Sequence, residues 1–213
     1  ITVEIPAGAT VKQVLLYWEG FMAANTLGDE TVTVSNGGPA VAVTGTPIGG
    51  PTYFFTGAHA SVFRADISSL GLVGDGVTTL EISNLVYSYA SNGAGVMVIY
   101  DDGSTDASIA VRDGSDLAFI GFAEPLKNTV PQTFAFPAST KDRTAQVSLF
   151  FASVSGTASG GTLRPTAIEI TTNGPGGGVT VLNNLLDSVS GQEWDSFTIS
   201  VDIPAQATTL TVQ

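Results

Sequence analysis

A strand pattern that stops at Pro-Ala and then starts again constrains this chain more than any other feature. Ile1-Thr-Val-Glu-Ile-Pro-Ala-Gly-Ala-Thr10 returns as Ile199-Ser-Val-Asp-Ile-Pro-Ala-Gln-Ala-Thr208, with seven of ten positions identical and two more conservative. A fainter copy is Phe134-Ala-Phe-Pro-Ala138. The segments that follow also match: Lys12-Gln-Val-Leu-Leu-Tyr-Trp18 aligns with Ala145-Gln-Val-Ser-Leu-Phe-Phe151. Alternate apolar residues share one face of an extended chain, so each copy reads as a half-buried strand. Proline cannot donate to a ladder and ends it. The chain then turns on small residues and re-enters as a new strand.

Similar runs recur from 1–5 to 208–212, among them 107–112 and 117–122, and they are bounded by Asn36-Gly37, Asn92-Gly93, Asp102-Gly103, Asp113-Gly114 and Asn173-Gly174. These dipeptides suit the positive φ angles of tight turns. No long helical stripe occurs; residues 182–189 are the best exception, with room for a turn or two. The expected fold is all-β, a jelly-roll-like β-sandwich of two similar modules packed together, residues 1–130 and 131–213. The second module looks one strand short, because the Gly-Val-Met-Val-Ile-Tyr run at 95–100 has no second copy. Either the chain simply ends there, or another chain supplies the strand by β-augmentation.

Composition narrows the partners. Seven basic residues stand against 19 acidic ones, a net charge of −12. Such a surface repels the phosphates of nucleic acid and of anionic lipid. Calcium suits carboxylate and carbonyl oxygens better. There is no cysteine, which removes disulfides and thiolate chemistry. The longest apolar runs, such as 14–18 and 96–100, are too short to insert in a bilayer. The chain opens directly on a strand without a signal peptide. With little Lys or Glu and much Gly, Thr, Ser, Ala and Val, it reads as a mature, secreted protein of the cell surface.

The motifs together resemble the jelly-roll-like modules of large bacterial and archaeal secreted cell-surface proteins. The residues that carry the resemblance are Leu16-Tyr17-Trp18, Asp29, the hairpin Val32-Thr-Val-Ser-Asn36-Gly37, and Val96-Met-Val-Ile-Tyr100-Asp-Asp102. Arg112-Asp113-Gly114 and Gly191-Gln-Glu-Trp194-Asp195 continue the match over most of the chain. The resemblance implies a surface module, often part of a longer or assembled structure, in which a further core strand follows the last segment seen here. It implies no catalytic residue.

Candidate sites are sparse. Asp101, Asp102 and Asp106 could give a loop site for calcium, although their spacing departs from the calcium-loop consensus and solvated turn residues look the same. Asp113 and Asp116 lie beyond a predicted strand and cannot join them. Glu193 and Asp195 flank Trp194 side by side, on one strand face or simply in a loop, so they do not oppose each other across a cleft as a glycosidase pair must. A packed tryptophan with solvent-facing acids is the plainer reading. His59 is the lone histidine, and no nucleophile elbow accompanies it. Tyr53-Phe54-Phe55 and Tyr87-Ser-Tyr89 could form a sugar platform or simply pack.

The chain therefore reads as a non-enzyme. One expectation is a structural subunit of an extracellular filament, sheath or surface layer. Its copies would join by β-strand exchange through Ile1, Val3 and Ile5 and the edge at Leu210 and Val212. The other is an adhesive or carbohydrate-binding module of a larger surface protein, with calcium as its cation.

Overall fold

Alternation in the sequence becomes pairing in space wherever two such runs can meet. The computed structural model describes every residue except Thr56, Thr105, Asp106 and Gln192, and the backbone alone of Ser159. It divides the chain into two units, Ile1–Ser115 and Asp116–Gln213. Every sheet is antiparallel, and among the described residues helical structure is confined to the 3₁₀ turns Ser68–Leu70 and Thr157–Ser159. The chain is all-β, as its alternation predicts.

The first unit holds β1 (Thr2–Ile5), β2 (Thr10–Met22), β3 (Thr31–Ser35), β4 (Val41–Thr44), β5 (Thr46–Phe55), β6 (Ala58–Asp66), β7 (Gly76–Thr79), β8 (Glu81–Ser83) and β9 (Ala90–Asp101). One layer runs β5-β6-β2-β9; the other consists of β1-β7 and β4-β3-β8. Only Leu80 separates β7 from β8, and its N–H donates to the Ile1 carbonyl at 2.8 Å. The second layer is thus one path, β1 to β7/β8 to β3 to β4. Between the layers lie Ile5, Val14, Leu16, Trp18, Val32, Val34, Phe63 and Leu80. Burying a side chain of this size contributes about 1.5–3 kcal/mol, which makes this core the main stabilising term.

The second unit holds β10 (Gln132–Ala135), β11 (Arg143–Ala152), β12 (Ala167–Thr172), β13 (Val179–Asn183), β14 (Trp194–Ile203) and β15 (Thr209–Val212). Its layers are β10-β15-β12-β13 and β11-β14, closed over Ile168, Ile170, Ile203, Leu210 and Val212. Each unit by itself is a β-sandwich.

The sequence places a module boundary near 130, whereas the units meet at 115/116. The predicted strand 117–122 is absent. Residues 116–130 form a loop held to the second unit, where Asp116 accepts from the Val130 N–H and the Gln213 amide donates to the Thr129 carbonyl at 2.8 Å. The predicted strand 107–112 is absent too. Residues 182–189 finish β13 and turn, without a helix.

Candidate functional site

The two units share one plan, and comparing them exposes the site. β1 with β7 corresponds to β10 with β15, β3 with β4 to β12 with β13, and β2 with β6 to β11 with β14. β2 is flanked on its other side by β9, from Thr10↔Asp101 to Phe21↔Ala90. Among the described residues β11 has no strand on that side. The strand that the sequence finds unrepeated is the one whose place beside β11 is empty.

Burial records the difference. In β2, Val14, Leu16 and Trp18 are 3%, 0% and 0% exposed. Their counterparts Val147, Leu149 and Phe151 are only half-buried, and no residue of β11 is fully buried. Over its 10 residues β11 pairs with β14 without a register shift, and between Arg143 and Ala152 it contains no charge and no proline. Natural edges are normally blunted by such devices. The other long edges show them in part: β5 carries Pro47, Pro51 and three register shifts, and β14 carries Asp195 and Asp202.

The five residues expected at the interface all pair within their own units. Ile1, Val3 and Ile5 belong to the β1 segment, which pairs with β7 of its own unit; Val3 packs on the core and Ile5 is 3% exposed. Leu210 and Val212 lie on β15, which is paired on both sides by β10 and β12, so that strand offers no free edge. Their alternation identifies them as strand residues; it does not say which neighbours would claim them.

The acidic loop is tied up in turns. Asp101 accepts from the Gly103 N–H at 3.0 Å and meets Lys12 Nζ at 3.3 Å, while Asp102 accepts from the Ser104 N–H at 2.9 Å. The Gly103 N–H, then Lys12, holds the Asp101 carboxyl below the usual range; Ser104 does the same for Asp102. Asp106 lies outside the described residues. Among those described, no group of three or more acidic or histidine side chains could hold a metal.

Asp113 does something the sequence does not reveal. It accepts from Tyr17 Oη at 2.8 Å and from Arg64 at 2.7 Å, fastening residues 107–115 to the outer face of β2 and β6. That anchoring explains why an alternating run at 107–112 pairs with no sheet. Burial, followed by the bond to Asp113, pushes the Tyr17 phenol well up from its ordinary value.

Trp194 is packed, as expected, at 5% exposed and stacked on Phe150 at 5.8 Å. Glu193 meets Arg164 at 3.7 Å. Asp195 is not solvent-facing: it is 0% exposed and accepts from the Ser188 and Val189 N–H groups at 2.8 and 2.6 Å. His59 lies edge-on to Tyr53 at 5.8 Å, and its Nδ1 is buried without a hydrogen-bond partner. Tyr87 is core, but Phe55 and Tyr89 are 40% and 52% exposed and meet at 5.5 Å.

The fold is an all-β sandwich in which, among the described residues, β11 is paired on one side only. No protein-family model, curated protein or solved structure matches the chain.

Proposed function

We propose that this chain is a structural module of an extracellular surface assembly, such as a filament, sheath or surface layer, whose copies join by β-strand pairing between sheets. The observation that carries the reading is the bare β11 edge above a half-covered core, where the sister unit has a strand. A strand added there would satisfy backbone groups and bury Val147, Leu149 and Phe151, the two gains that drive β-augmentation. The low proportion of charged residues, 12%, fits a surface that lies largely against other protein. The resemblance to secreted surface modules points the same way. No catalytic role is proposed.

Ser148 tests the reading, because it is exposed on β11 and its hydroxyl shares a hydrogen bond with that of Thr198 across the ladder, at 2.8 Å. Light scattering of the unaltered chain over a concentration series should show growing multimers. Ser148→Lys, which places an edge-guarding charge, should remain monomeric with a melting temperature within about 4 °C of the parent, the shift of a change worth under 1 kcal/mol. Multimers that persist unchanged in this variant would refute strand addition at this edge.

A second reading, an adhesive or carbohydrate-binding module, draws on the exposed Phe55–Tyr89 pair. Aromatic faces present apolar area to sugar rings. On this reading, polysaccharide resin retains the parent chain and releases Phe55→Ala and Tyr89→Ala. A chelator should leave retention unchanged, since the described carboxylates form no cation site. Equal elution of parent and variants would dismiss it.

A further inference from the structure

We infer that the strand which completes the second unit is the apolar loop 117–122 of a second copy, laid along the free edge of β11 so that copies join head to tail. The inference rests on the strand-addition reading above and names the segment that is added.

The segment carries the pattern of a strand without the pairing of one. Leu117-Ala-Phe-Ile-Gly-Phe122 holds no charge and no proline, and Asp116 and Glu124 stand on either side of it. Short uncharged runs rich in aromatic and branched residues pair readily with an open edge, and flanking charges are the usual guard. The run is predicted as a strand, yet it forms a loop. The Phe119 N–H donates to the Leu126 carbonyl at 3.1 Å and the Phe122 N–H to the Phe119 carbonyl at 2.9 Å. The rings of Phe119 and Phe122 meet edge-on at 5.4 Å. Phe119 is 48% exposed and Ile120 75%, the one adjacent pair of exposed large apolar side chains among the described residues. A run whose local preference is overruled, with no burial in return, is where a function is expected.

Each surface supplies what the other lacks. Alternate residues of β11 bond β14, so those between them direct N–H and C=O groups outward, where an extended segment would satisfy them. Val147, Leu149 and Phe151 are half-buried on the core-facing side. The added run would close over them with either of its faces, since Leu117 and Phe119 alternate with Ala118, Ile120 and Phe122. Neither the run nor β11 between its end residues carries a charge, so docking strips no ion of its water. The long free edge of β9 is a poorer donor, because Ala94, Val96 and Val98 are already packed on the core of their own unit. Opening the loop gives up a few exposed backbone bonds, which the new ladder replaces. The bond from the Val130 N–H to Asp116 lies outside the run and is kept. Because donor and acceptor are different surfaces, the contact is heterologous and generates a chain of subunits unless the rotation closes into a ring.

Complementation between two variants tests the pairing. Ile120→Lys puts a charge into the donor, and Ser148→Lys guards the acceptor. Both positions are exposed, and each variant is first checked for a parental circular dichroism spectrum. Should Ile120→Lys fail that check, Ile120→Ser takes its place. In light scattering each variant alone is expected to be monomeric. An equimolar mixture is expected to double in mass and stop there, since only the loop of Ser148→Lys and the edge of Ile120→Lys can still meet. Multimers that persist in Ile120→Lys but not in Ser148→Lys leave strand addition standing and exclude this loop as the donor. Two monomeric variants that stay monomeric on mixing show that loop and edge are not partners, which overturns the inference alone. Multimers in Ser148→Lys refute strand addition at β11 and the inference with it. A parent chain that is monomeric at the highest soluble concentration also removes both.

Discussion

Trp18→Ala is expected to remove about 3–5 kcal/mol from the first unit through the lost transfer energy and the cavity left behind. The ring is 0% exposed and stacks on Phe63 with centroids 5.7 Å apart and planes 17° apart. Its Nε1 donates to the Asp29 carbonyl at 2.7 Å. Alanine leaves that part-buried oxygen without its donor, which adds about 1–3 kcal/mol. Collapse around the hole is restricted, because the space was shaped for the indole. Gly45 stands at its edge, where a Cβ would come within 2.4 Å of Cη2. Small domains hold only about 5–15 kcal/mol in total, so this one change takes a large share. Denaturant titration followed by circular dichroism, together with amide exchange on β2, measures it. A loss below about 1 kcal/mol, the centre of the range for point mutants, would mean that Trp18 does not organise the core as described.

Asp195→Ala should cost the second unit about 2–4 kcal/mol, because it strands buried donors that a charged acceptor now satisfies. Both bonds come from the backbone, and Ser188 also donates through its hydroxyl to the Val154 carbonyl at 2.8 Å. The carboxylate thereby folds residues 185–190 back onto the start of β14 and holds Ser188 at φ +58°, in the left-handed region that non-glycine residues visit at a cost. Asp195→Asn keeps the shape but offers one acceptor oxygen for two donors, so its loss should fall between the parent and alanine. The reading is checked by unfolding curves for both variants and by amide exchange at Ser188 and Val189. If both amides stay protected in Asp195→Ala, the carboxylate is not what holds the loop.

Much of the architecture is legible in residue order because alternation is a local signal. The alternating run Ile199 to Ile203 becomes the second half of β14, and the Ile1 to Ile5 run supplies β1. The unrepeated 95–100 run is the heart of β9, which flanks β2, and among the described residues no strand pairs with β11 on the corresponding side. What alternation does not carry is the identity of the neighbour. Ala107 to Arg112 alternates well enough, yet Asp113 spends its carboxylate on Tyr17 and Arg64, residues far away in sequence, and the run is left without a ladder. Asp195 fails in the same way: an acid beside tryptophan reads as solvated until the fold turns two backbone amides toward it. Leu210 and Val212 reverse the lesson. They look like a free end in sequence, and β12 closes over them in space.

The pairing of β1 with β7 also sets a schedule. Thr2 meets Thr79 and Thr10 meets Asp101, and in the second unit Gln132 meets Val212, so each sandwich is closed by its first strands finding partners far along the chain. Such long loops are entropically slow to close, and topologies dominated by distant pairs fold in milliseconds to seconds rather than microseconds. During synthesis, β1 has nothing to pair with until β7 is made, and β2 lacks its second neighbour until β9 follows. Each unit therefore gains its full protection from proteases only after segments far along its chain have been made.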